Sequence, residues 1–117
     1  MMKPTAALLF LGLAVPAQAQ VTKIVGIGAS PCSRFNQDIG EAPAKERDYL
    51  AWAQGFMSGA LIRAPEGVDG GLDLTPSSMP LNAQADFLRS FCTKRPDLDF
   101  MDAVHALYRH LRTLQTL

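Results

Sequence analysis

Cys32 and Cys92 are the residues whose type and spacing bear most directly on chemistry in this chain of 117 residues. They lie too far apart to be a CxxC redox pair. They stand behind an N-terminus that reads as a secretory signal. In an exported chain of this size, two cysteines most simply form one intramolecular disulfide. Such a bond would close a loop of about 60 residues and contribute about 4 kcal/mol in the chain-entropy account. Two free thiols or an intermolecular bridge are the alternatives.

Other chemistry finds weaker footing. Gly26-x-Gly28 follows a short β-branched stretch, yet the third glycine of a dinucleotide loop is missing and no βαβ unit follows. Asp69, Asp73 and the glycines between them lack the spacing and closing Glu of a calcium loop. Asp97, Asp99 and Asp102 fit helix N-terminal charges better than metal ligands. His105 and His110 are five apart, which places them on different sides of a helix, and no His–Cys pair has zinc-ligand spacing. No serine sits in a G-x-S-x-G elbow. No catalytic residue, cofactor or metal is therefore expected.

The elements that position these residues begin after the signal. Lys3 is a positive n-region, Ala6 to Val15 is an apolar run too short to span a bilayer, and Ala17-Gln18-Ala19 is a small-x-small cleavage site. Cleavage after Ala19 gives a signal peptide over 1–19 and a single small helical domain over 20–117, about 98 residues with a net charge of about −1. That balance supplies no positive field for nucleic acid and no polybasic membrane contact. The expected location is the periplasm or the exterior.

Periodicity predicts an all-α domain: a bundle of three to four helices with an N-terminal extended arm and one disulfide. Val21 to Ile27 reads as a short strand or extended arm. A short helix over Ser33 to Ile39 carries Phe35 and ends at Gly40 and Pro43. The strongest helix runs from Ala44 to Arg63, with Tyr49, Trp52, Ala53, Phe56, Met57 and Ala60 on one face. Ala64 to Pro80 reads as a long Gly/Pro-rich loop, a length often functional. Ala83 to Lys94 forms the next helix, with Asn82 as N-cap and Phe87, Leu88, Phe91 and Cys92 on its apolar stripe. The last helix runs from Asp99 to Leu114. Asp102 completes a capping box, Phe100, Val104, Leu107, Tyr108, Leu111 and Leu114 form the stripe, and Arg109 and Arg112 complement the dipole.

Gly55-x-x-x-Gly59 is unusual inside a helix, because each glycine costs up to about 1 kcal/mol relative to Ala. Small residues one turn apart permit close backbone approach. The first expectation is a tight helix crossing within the monomer. The second is a homodimer seam or docking groove formed by Trp52, Gly55, Phe56 and Gly59.

Several phrases together carry a family resemblance. These are Gly26-Ile-Gly-Ala-Ser-Pro-Cys32, Tyr49-Leu-Ala-Trp52-Ala-Gln-Gly55-Phe56-Met-Ser58-Gly59, Phe87-Leu-Arg-Ser-Phe91-Cys92 followed by Pro96, and Ala103-Val104-x-x-Leu107. The pattern resembles the Rap/Tai immunity family, which neutralises peptidoglycan amidases delivered by type VI secretion. That family is similar in size and fold to HdeA-type periplasmic acid-stress chaperones. The resemblance implies a helical domain bridged between Cys32 and Cys92. It further implies a non-enzymatic protein whose partner is another protein, a secreted amidase or a chaperone client. An immunity-type inhibitor would act by occlusion, presenting the loop after the Trp52 helix to an enzyme cleft. Arg63, Glu66, Asp69 and Met79 are the expected contacts. The alternative is an acid-stress chaperone, its eleven carboxylates neutralising as pH falls.

Overall fold

The computed structural model describes residues 2–7, 12 and 23–115. The signal segment 1–19 lies largely outside the described residues, as do Val21 and Thr22 of the expected arm. No helix among the described residues is long and apolar enough to cross a membrane. The fold is all-α, with no strand among the described residues. Helices run over Cys32–Glu41 (α1), Glu46–Ile62 (α2), Leu81–Lys94 (α3) and Phe100–Leu114 (α4).

The described part of the expected arm contains no strand. Residues 23–25 carry no regular structure, and Ile27–Ala29 form a 3-10 turn. α1 is longer than its apolar pattern suggested, running through Gly40 and stopping just before Pro43. Pro43–Lys45 make a separate 3-10 turn, so α2 starts at Glu46 rather than Ala44. Asn82 is not the N-cap of α3. Pro80 holds that position, and the Gln84 N–H closes onto its carbonyl at 3.0 Å. The fixed φ of proline suits a helix entrance, so the start moves upstream. α4 begins as expected, with the Asp102 carboxylate accepting the Asp99 N–H at 2.9 Å.

The core forms where the helical stripes meet. Phe35, Tyr49 and Phe100 make a buried aromatic triad with ring centroids 4.8–5.0 Å apart. Ala53, Met57, Leu88, Ala103, Val104, Leu107 and Leu111 extend it. Each large apolar side chain buried this way contributes about 1.5–3 kcal/mol. Two ends of the expected stripes escape. Ala60 and Leu114 are exposed, because each lies at the final turns of its helix, past the packed layer.

Cys32 and Cys92 are bonded to each other, both wholly buried, with Cα atoms 4.8 Å apart. The bond joins the start of α1 to the end of α3. Backbone pairing surrounds it. The Cys32 and Ser33 N–H groups donate to the Leu98 and Pro96 carbonyls at 2.7 and 3.2 Å, and the Phe100 N–H donates to Ser30 at 2.9 Å. The α3–α4 connection thus satisfies donors at the α1 entrance that have no partner within the helix. The Asn36 side-chain amide returns the service by donating to the Cys92 carbonyl at 3.0 Å.

Helix direction defines one end of the bundle. Trp52 meets Phe100 and Phe56 meets His105, so α2 and α4 run parallel. Phe87 stacks on His110 near the C-terminus of α4, while residues 95–99 join the end of α3 to the start of α4, so α3 and α4 run antiparallel. The C-termini of α2 and α4 and the N-terminus of α3 therefore share one end. The segment 63–80 connects α2 to α3 across that end.

Candidate functional site

The segment 63–80 is long and irregular, yet side chains fix it at three places. In the first, Asp69 turns its carboxylate onto α4. It accepts from Arg112 Nε at 2.7 Å and from the Tyr108 hydroxyl at 2.9 Å. Burial, then the bond to Asp69, pushes the Tyr108 phenol above its ordinary pKa. In the second, Gln115 grips Asp73 from both sides. Its Oε1 accepts the Asp73 N–H at 2.9 Å and its Nε2 donates to the Asp73 carbonyl at 2.7 Å.

The third place was not visible as a site in the sequence. Gln84 lies on the buried face of α3 and donates through Nε2 to the carbonyls of Leu74 (2.7 Å) and Met79 (3.0 Å). A polar residue four positions before Leu88 on a helical stripe was the available signal. Gln84 Oε1 is buried with no protein partner.

These anchors sort the expected contact residues. Arg63 and Glu66 stand exposed, beside Val68, which is 42% exposed. The structure does not bring Asp69 and Met79 to the same surface. The Asp69 carboxylate is 9% exposed and committed to Arg112 and Tyr108. Met79 is buried in the core cluster under the Gln84 amide. Between residues 67–70 and Arg112, Thr113 and Gln115 lies an open depression of about 790 Å³.

The expected seam on α2 separates into two unlike faces. Trp52 and Phe56 stack at 5.1 Å and are half-buried, with Phe56 edge-on to His105 at 5.2 Å. Trp52 lies on the arm. A Cβ on Gly28 would fall 2.2 Å from its ring, so Gly26-x-Gly28 is the floor on which an indole rests. Gly55 and Gly59 point elsewhere, with nothing within 4 Å of a Cβ built on either. Among the described residues, no helix crosses α2 tightly at these glycines. His105 is exposed and caps Phe56.

Electrostatics concentrate at two interhelical points. Asp38 accepts from Tyr49 Oη at 2.6 Å and from Arg34 Nε at 3.0 Å, with Lys45 Nζ 3.8 Å away. The Tyr49 bond first, then Arg34, holds the Asp38 carboxyl below its usual range, against the opposing effect of burial. Burial, then the bond to Asp38, pushes the Tyr49 phenol up to about 12. Arg89 of α3 pairs with Glu46 of α2 at 2.6 Å and also meets Asp86. Among the described residues, no group of three or more His, Cys, Asp or Glu is placed to hold a metal ion.

No family model, no curated protein and no solved structure matches the chain.

Proposed function

We propose that this chain is a non-enzymatic periplasmic protein that binds another protein, most specifically an immunity-type inhibitor of a secreted cell-wall amidase. The observation that supports this reading is the fixed segment 63–80. A loop of this length ordinarily loses much conformational entropy on binding. Here Asp69, Asp73 and Gln84 hold it before any partner arrives, while Arg63, Glu66 and Val68 face solvent. A preordered surface bearing both charge signs and one apolar side chain suits occlusion of a polar enzyme cleft. Co-purification from the periplasm tests the reading. Recovery of a wall amidase is expected with the wild type and is reduced at least tenfold by Arg63→Glu with Glu66→Lys. Recovery of no wall enzyme overturns it.

Asp38 favours a second reading, an acid-stress chaperone of the HdeA type. Its depressed carboxyl joins α1 to α2 through Tyr49 and, with Lys45, weakens on protonation. Suppression of client aggregation near pH 2–3, absent near pH 7, is the expected sign. A chain that stays folded and inactive in acid removes this reading.

A further inference from the structure

We infer that the segment 67–73 is a hinged strap, clasped by the Asp69 carboxylate, that opens while the four-helix core stays closed. Three features carry the inference. The first is what holds the segment. Toward α4 it is fastened by side-chain polar contacts alone, from Asp69 to Arg112 and Tyr108 and from Asp73 to Gln115. Leu72 is buried beneath it but lies outside the main core cluster, whereas Leu74 packs against that cluster and its carbonyl is held by Gln84, so the loosely packed stretch ends at Asp73. Segments with few buried apolar contacts open at lower free energy than the core.

The second feature is the backbone. Gly67 and Gly71 adopt φ of +79° and +80°, which glycine enters freely. Between them Asp69 takes φ +58°, the one described non-glycine residue with positive φ. Glycine would be less strained there. The carboxylate is what glycine cannot supply, so the clasp accounts for the residue. The third feature is access. Arg112 remains 47% exposed beside the open depression, so water can reach the clasp.

Opening would free Val68 from its fixed position and bare Leu72. The strap thus exchanges an ordered polar face for a mobile apolar one. This holds whether or not the partner is an amidase, because it concerns the free protein.

Hydrogen exchange of the full chain tests it, comparing wild type with Asp69→Gly and Tyr108→Phe. Asp69→Gly relieves the backbone while deleting the carboxylate. Amides of residues 68–73 are expected to exchange about tenfold faster in Asp69→Gly, with those of α2 and α4 unchanged. Tyr108→Phe keeps Arg112 and is expected to give a smaller increase confined to the same residues. Unchanged or slower exchange in Asp69→Gly shows that backbone, not carboxylate, holds the segment. Acceleration spread equally through α2 and α4, in whichever variant folds, shows that no independent strap exists. Either result overturns the inference.

Discussion

The Tyr49 hydroxyl donates a 2.6 Å hydrogen bond to the Asp38 carboxylate, joining α2 to α1 at the edge of the aromatic triad. Its two partners titrate in opposite senses, so it has a stability window in pH. The Asp38 pKa is depressed in the folded chain, so its stabilisation is present above the unfolded carboxyl value and is lost as pH falls through the folded one. The Tyr49 pKa is raised, so its stabilisation is complete below about 10 and is lost as pH rises toward about 12. Urea midpoints against pH should therefore fall at both extremes. Tyr49→Phe should flatten the alkaline limb and shrink the acid one. Unaltered limbs in that variant would detach the pair from the pH response.

Gly28→Ala should destabilise the fold by about 1–3 kcal/mol, the range for overfilling a packed site. The added Cβ would lie 2.2 Å from the Trp52 ring. The indole must move, so its emission should shift to the red. A variant with wild-type melting and emission would contradict the contact.

Gly55→Ala and Gly59→Ala should each do the reverse. Both glycines sit in α2 with open space around a built Cβ. Removing backbone freedom from the unfolded chain should stabilise by about 0.5–1 kcal/mol each. That raises Tm by several degrees, at about 4–8 °C per kcal/mol for a domain of this size. A loss of stability in dilute solution would mean that something covers this face of α2.

Replacing both cysteines by Ala should lower stability by about 4 kcal/mol, since the bond spans 60 residues. Both sulfurs are wholly buried, so reductant should act on the native chain only through unfolding. Fast reduction at full native ellipticity would contradict that burial.

Much of this fold is written in helical periodicity. The buried run Val104, Leu107, Leu111 and the Asp99–Asp102 start of α4 follow from local pattern, as does the inward turn of Cys92. What local pattern lacks is the partner across space. Met79 reads as a loop residue and is core, because Gln84 draws its carbonyl down onto α3. Asp69 reads as a solvated acid and is a clasp, because Arg112 lies 43 positions away in sequence but 2.7 Å away in space. Gly28 reads as a loop glycine, and only Trp52 above it supplies the reason for its missing side chain.

The most direct test is peptidoglycan hydrolysis by purified secreted cell-wall amidases of the same organism, titrated with this protein. One of them should be silenced at near-equimolar protein, and the Arg63→Glu, Glu66→Lys variant, folded to the same Tm, should leave it active. Undiminished hydrolysis by every amidase at large molar excess of the wild type would show that this protein is not an amidase inhibitor.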